Sequence, residues 1–553
     1  MVVGILVWLW PALQQLPVGD APAAAFLNGP DAGEWALNAQ LVGQGELQQV
    51  DPHRMPTFLF VLAATMGILG EVAPAGHLVA VASWALLPVV LYGLGCRVGG
   101  RLVGALSAAL VVGCAPLVRE AAQFGVDPLL SVLLPTAMLA AVASRCVKWP
   151  AALGAGAVAA VAACTHLMAL PYVIPALLFA LWRPAGCTAP ARLPLRFGAF
   201  VMGLVGVVLA LDLAVGLISL DAFVHSISEG IARGTGAPED GGLSEAARQQ
   251  LADGRSESAL GATHVALQPY LGSGVGWGPG VVVFWVGVVG LGLREAVAWP
   301  DSPPAWLRPW LGTAPDRRWR GLGRGWLAAF VGWRHRLSPD GGTGLLLLAC
   351  LAPLPLLVAA DAPDRYAINL LPFVAVVLAR GVGSVVAVLS WSAPVDRRRW
   401  IVAGIGLPVT VFVVWQSQSR LASGLASIPH PDTVPRLAWR LSVVVERALP
   451  GRSAVASPMR EVPAHLGRPH CPRTSCVPSA EQTDAIAACL DHLRRSCAGE
   501  GPVPLVWLSE APLGMGDDAL SQAVGAHAAE TWGELARVRE GGFEGVVVAV
   551  PRE

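Results

Sequence analysis

The chain has 553 residues, of which 54% are hydrophobic and 14% charged, with a formal net charge of zero. A soluble domain ordinarily carries about 25% charged residues, and a soluble chain of this length would need roughly three or four such domains. Fourteen per cent charge cannot cover those surfaces, so a water-soluble globular protein is excluded and most of the chain belongs in a membrane.

A spanning helix needs about 20 apolar residues. Eleven apolar runs predict spans, near 2–17, 77–95, 102–117, 128–146, 150–165, 167–182, 197–220, 279–294, 343–360, 367–390 and 400–416. The pair at 150–182 also reads as one proline-broken hairpin. The run 56–74, broken by Glu71 and Pro74, predicts a segment lying in the interface. Residues 1–17 have a second reading as a signal peptide cleaved in the Ala-rich stretch 21–25, although no basic segment precedes them.

Arginine orients the runs, because cytoplasmic loops collect Lys and Arg. The basic groups are Arg97 and Arg101; Arg145 and Lys148; Arg183, Arg192 and Arg196; the loop 294–340, rich in arginine from Arg294 to Arg336; and Arg397, Arg398 and Arg399. Eleven spans with the N-terminus inside put all five groups on the cytoplasmic face. The first loop (18–75) and the acid-rich loop 221–276 then fall outside. The stretch Arg317–Arg324, with Trp319 and Trp326, predicts an amphipathic segment on the anionic inner leaflet. Residues 1–416 form the transmembrane part.

From 417 to 553 the composition changes to that of a soluble unit, which the topology places outside. Alternation in Val503–Leu508 and Gly545–Val550 predicts strands; Asp484–Ala498 and Asp518–Ala529 predict helices. The expectation is a small α/β domain. Its Cys471, Cys476, Cys489 and Cys497 predict two disulfides in an oxidising compartment. A metal site helped by His470 and His492 competes, but the spacing matches no common zinc pattern.

Three polar segments stand on the predicted outer side, where a membrane protein keeps its chemistry. The first is Asn28-Gly-Pro-Asp31-Ala-Gly-Glu34-Trp35-Ala-Leu-Asn38, followed by Asp51-Pro-His53-Arg54-Met-Pro56. In a helix Asp31 and Glu34 project from one face. The bland alternative makes Asp31 a helix cap and Arg54 a headgroup anchor. The second is Arg119-Glu120-Ala-Ala-Gln123-Phe-Gly-Val-Asp127-Pro128, where an N-cap would account for Asp127. The third is Asp361-Ala-Pro-Asp364-Arg365-Tyr366, a short turn whose arginine sits where it can clamp a phosphate. Inside the runs, His166 and Asp212 are the main polar candidates, and a satisfied core histidine is an equal reading of the former. The glycine-rich Gly272–Gly278 lacks the strand–turn–helix setting of a phosphate loop.

The order Asp-x-x-Glu-aromatic in the first loop, Arg-x-Pro before an apolar run, Asp opening helix four and Arg-Tyr opening a late helix resembles the GT-C polytopic glycosyltransferases. The similarity is to the protein O-mannosyltransferase and aminoarabinose transferase branch, and covers roughly 1–390. It implies an α-helical GT-C-like fold in a bacterial inner membrane, with a sugar donor on polyprenyl phosphate and a glycan, lipid or protein acceptor at the outer face. It implies Asp31 as general base, with Glu34 assisting or holding a divalent metal. Arg54 and Arg365, with Arg119 behind them, would receive the donor phosphate; Asp127 would be an acceptor-binding or structural acid; His53, His166 and Tyr366 complete the candidates. Trp35 stands where the family often has Tyr, and Thr165-His166 where it often has Lys. A transporter or flippase, a ligase of lipid-linked glycans and a non-catalytic scaffold are the competing functions. The helix interiors are mostly apolar and carry no repeat, which weighs against a transporter.

Overall fold

The computed structural model describes residues 27, 31–51, 54–112, 114–144, 147, 149–181, 193–215, 346, 348–350, 352, 368–391, 404, 407–409, 411–414, 433–451, 453–457, 459–468, 470–471, 485–497, 502–510, 519–540 and 543–551. The expected spans at 2–17 and 279–294, most of 343–360, the loops 221–276 and 294–340, and His53, Arg365, Tyr366 and Cys476 lie outside the described residues.

The membrane part contains α1 (Ala32–Gln44), α2 (Pro56–Leu69), α3 (Val72–Gly99), α4 (Arg101–Val112), α5 (Ala115–Ala121), α6 (Asp127–Ser144), α7 (Pro150–Ala163), α8 (Leu170–Leu181), α9 (Leu193–Val215) and α10 (Leu371–Trp391). Among the described residues, four segments are long and apolar enough to cross a bilayer: Val72–Gly99, Asp127–Ser144, Leu193–Leu211 and Ile368–Val386. On α9, Leu195, Phe197, Met202, Val205 and Leu209 lie exposed. An apolar flank of that extent is stable only against lipid or a partner. The run 150–182 resolves into two helices, α7 and α8, joined by a 3-10 turn at Leu167–Ala169. The run 56–74 holds the helix α2, which ends at Leu69 and buries Phe58, Leu59 and Leu62 while Ile68 stays exposed; its last residues, from Val72, open α3.

Glycine sets how closely the helices approach, as small residues do in lipid, where shape complementarity rather than water expulsion drives association. A Cβ on Gly156 of α7 would stand 2.0 Å from the Phe200 carbonyl oxygen of α9, and one on Gly203 of α9 would stand 2.0 Å from that of Leu153. No side chain fits at either point, so these backbones touch directly.

Arg196, one of the arginines that orient the runs, is buried in the first turn of α9. Its guanidinium donates to the carbonyl oxygens of Ser144 (2.7 Å), Val147 (2.8 Å) and Ala180 (2.8 Å). Ser144 ends α6 and Ala180 lies in the last turn of α8, so one cation closes the orphan carbonyls of two helix C-termini.

Residues 433–551 build a five-stranded sheet in the order β2-β1-β3-β5-β4. Its strands are β1 (Val455–Ala456), β2 (His470–Cys471), β3 (Val503–Glu510), β4 (Glu534–Glu540) and β5 (Phe543–Val550), with β2, β1 and β3 parallel and β3, β5 and β4 antiparallel. The period of two separates two cores. Val503, Leu505 and Trp507 of β3 and Val546, Val548 and Val550 of β5 pack with α13 (Ala485–Ser496) and α14 (Ala519–Trp532). Val506 and Val547 face the other way, against Leu437, Leu441 and Val445 of α11 (Thr433–Ala448) and Val462 of α12 (Glu461–Leu466). Cys471 and Cys497 form a disulfide that ties the edge strand β2 to the end of α13, and Cys489 is buried in the same core.

Candidate active site

The first loop folds back on itself through one buried side chain. Asn38 of α1 donates its Nδ2 to the Glu34 carbonyl oxygen at 2.8 Å and accepts the Asp51 backbone N–H on its Oδ1 at 2.7 Å. Arg54 N–H then reaches the Asp51 carbonyl at 3.0 Å. Two residues on, α2 starts against the end of α7. Thr57 donates its backbone N–H to the Cys164 carbonyl at 3.0 Å and its hydroxyl to that of Val161 at 3.2 Å. A helix N-terminus meets a helix C-terminus, each supplying what the other lacks. These two links bring Arg54 and His166, more than a hundred residues apart, to one place.

That place is a narrow cleft lined by Asp31, Trp35, Arg54, Glu120, Gln123, Phe124, Gly125, Val126, Asp127 and His166. Asp31 immediately precedes α1 with φ 58°, a left-handed conformation that a short polar side chain tolerates better than others. Its carboxylate lies 3.9 Å from the Arg54 guanidinium, which stacks over Trp35 at 4.9 Å and also ion-pairs with Glu34 and, at 4.0 Å, with Asp51. Asp127 is buried in the first turn of α6. The Nδ1 of His166 accepts the Met168 backbone N–H at 3.2 Å, which puts the neutral ring's proton on Nε2. Beneath these groups lies an aromatic floor: Phe58 meets Trp35 and Phe124 edge to face, and the buried His77 meets Phe124 likewise.

The arrangement joins three carboxylates, a guanidinium and an imidazole over an apolar floor. It can take a proton from a hydroxyl and stabilise an anion beside it. Glu34 is not on this wall. One carboxylate oxygen meets Arg54, the other meets Arg460 from the sheet unit, and so occupied it does not fit a metal ligand. Among the described residues, no group of three or more His, Cys, Asp or Glu side chains shares a centre able to hold a metal ion. Arg119, on α5, is exposed and does not line the cleft, whereas its neighbour Glu120 does.

Arg460 escaped the sequence reading because nothing local marks it; its partner Glu34 is 426 residues earlier. Arg380, buried in the middle of α10, escaped too, although a lone charge inside the run 367–390 was a readable signal.

No protein-family profile and no curated protein matches the sequence. Among solved structures, the chain is similar to ArnT from Cupriavidus metallidurans in the apo state, with 13% identity and a TM-score of 0.55 over 99% of this chain and 97% of that one. The same enzyme bound to undecaprenyl phosphate aligns over the same shares with 14% identity and a TM-score of 0.54. The likeness shows the fold: this chain is folded as ArnT is over nearly the whole of both chains.

Proposed function

We propose that this chain is an integral membrane glycosyltransferase that moves a sugar from a polyprenyl phosphate to an acceptor hydroxyl at the outer face of the membrane. The observation that carries the reading is the pairing of Asp31 with Arg54 on one wall of a cleft shared with Asp127 and His166, in a chain folded as ArnT is. A structural neighbour bound to undecaprenyl phosphate supports the class of donor.

In this mechanism Asp31 takes the proton of the acceptor hydroxyl as its oxygen attacks the anomeric carbon. The bond from that carbon to the phosphate oxygen breaks, and polyprenyl phosphate leaves. Negative charge builds on the phosphate in the transition state, and Arg54 stands ready to compensate it. Arg365 is the second phosphate ligand in this scheme, and Tyr366 and His53 are further candidates. Asp127 and His166 orient the acceptor. The chain crosses the membrane eleven times with its N-terminus inside, and 417–553 is a disulfide-bonded domain outside.

The test is transfer by the full-length chain in lipid nanodiscs, given radiolabelled polyprenyl-phosphate sugars and an extract of envelope acceptors. The parent chain transfers label. Asp31→Asn folds, because Asn tolerates the same backbone conformation, and does not transfer. Turnover retained by Asp31→Asn removes Asp31 as the base, and no transfer from any polyprenyl-phosphate sugar by the parent overturns the reading.

A further inference from the structure

The helix α12, which belongs to the sheet unit, packs on α1, which carries Glu34. A Cβ on Gly33 would stand 2.7 Å from the Glu461 nitrogen and 2.8 Å from the Arg460 carbonyl carbon, so only glycine admits this contact. Gln40 donates its Nε2 to the Ala464 carbonyl oxygen at 2.6 Å, and Ala464 is buried in one cluster with Ala32, Trp35, Ala36 and Phe58. The first loop and the sheet unit therefore meet at a seam that fixes where the side chain of Arg460 can reach.

It reaches Glu34, on the oxygen that Arg54 does not use. Arg54 faces three carboxylates, those of Asp31, Glu34 and Asp51. One cation against three anions leaves a formal charge of −2, and a second cation reduces it to −1. That matters to any anion entering the cleft. Without Arg460 the Glu34 carboxylate would draw Arg54 more strongly, and a phosphate would have to displace it. Burial pushes Glu461, next to Arg460, above the usual carboxylate range, and the charge of Asp31 adds to this.

We infer that Arg460 is a positioning residue for the cleft: by taking half of Glu34, the sheet unit weakens the hold of that carboxylate on Arg54, which can then turn to a phosphate monoester carried on a lipid. The inference rests on the phosphate role given to Arg54 above. It makes the sheet unit a part of the donor site and assigns Glu34 to a bridge between two arginines.

The test uses the full-length chain in nanodiscs with undecaprenyl phosphate as the probe, alongside transfer kinetics and hydrogen exchange of residues 45–57. Arg460→Ala should weaken undecaprenyl phosphate binding about five- to tenfold, the effect of one uncompensated charge at a part-exposed site. It should raise KM for the donor with little change in kcat and speed exchange around Arg54. Arg460→Lys should restore most of the affinity, and in a Glu34→Gln background Arg460→Ala should cost nothing further, because the competing charge is gone. Binding by Arg460→Ala within twofold of the parent, no rescue by Lys, or an undiminished loss in the Glu34→Gln background overturns the inference. A parent chain that binds no undecaprenyl phosphate overturns the phosphate reading instead; unchanged exchange in Arg460→Ala then overturns the clasp separately.

Discussion

Asn38 holds the backbone N–H of Asp51 at 2.7 Å across 13 residues of the first loop. With its Nδ2 on the Glu34 carbonyl, this side chain spans the interval between the two acidic segments that the sequence places in one loop. The spacing between Asp31 and Arg54 is thus set by a buried amide that touches neither.

Replacing Asn38 should therefore harm the cleft more than the fold. Asn38→Ala leaves the part-buried Asp51 N–H without its partner, which costs about 1–3 kcal/mol. Transfer should fall at least tenfold while the melting temperature drops by only a few degrees. Equal, small losses in both measurements would show that Arg54 finds its place without this tether.

Much of the fold was legible because its signals are local. Strands expected in Val503–Leu508 and Gly545–Val550 are β3 and β5, since alternating apolar residues fit a half-buried sheet. The strand β4 was not, because Glu534, Arg537, Arg539 and Glu540 read as a solvated segment. Arg537 and Arg539 pair across the ladder with the buried Glu544, and Glu540 pairs with Arg440 of α11. The two-residue strands β1 and β2 carry too few residues for any period. In the site, Asp31, Arg54, Asp127 and His166 were singled out individually; their meeting depends on Thr57 capping α7 and on Asn38, contacts that sequence spacing does not encode.

Arg196 gives a prediction about folding. Its guanidinium is the donor for three carbonyls at the ends of α6 and α8, and burial excludes water as a substitute. Arg196→Ala should destabilise the chain by about 3 kcal/mol or more, as the loss of a buried multidentate cation does. Arg196→Lys should recover little, because an ammonium cannot span the fork of acceptors. Detergent-solubilised yield and melting temperature measure both; a Lys variant as stable as the parent would reduce the role of Arg196 to that of a simple positive charge.

The Cys471–Cys497 bond closes a loop of 26 residues in sequence separation and secures β2, which pairs with β1 over only two positions. By the chain-entropy account such a closure contributes roughly 3–4 kcal/mol. Cys497→Ser should lower the unfolding temperature of 433–551 and expose β2 to proteolysis, with the membrane helices unaffected. Limited proteolysis of parent and variant under oxidising conditions reads this directly, and identical cleavage patterns would show that the sheet holds β2 unaided.

His465 makes stability depend on acid. Burial pushes its imidazole down to about 4 from the ordinary 6.5, and its Nε2 is sealed from solvent in the wall shared by Trp439, Glu446 and Arg447. The unfolded chain takes up a proton below about pH 6.5, whereas the folded chain resists until about pH 4. The stability held by the neutral ring is thus complete above pH 6.5 and is lost as the pH falls between those values, up to about 3 kcal/mol in all. The half-buried Glu461 works in the opposite sense, since its raised value favours the folded state at lower pH. The informative quantity is therefore the difference between parent and His465→Gln across this window. The parent should lose stability steeply between pH 6.5 and 4, and the variant should lose less by most of that amount. Parallel curves for the two would mean that His465 takes its proton in the folded chain as easily as in the unfolded one.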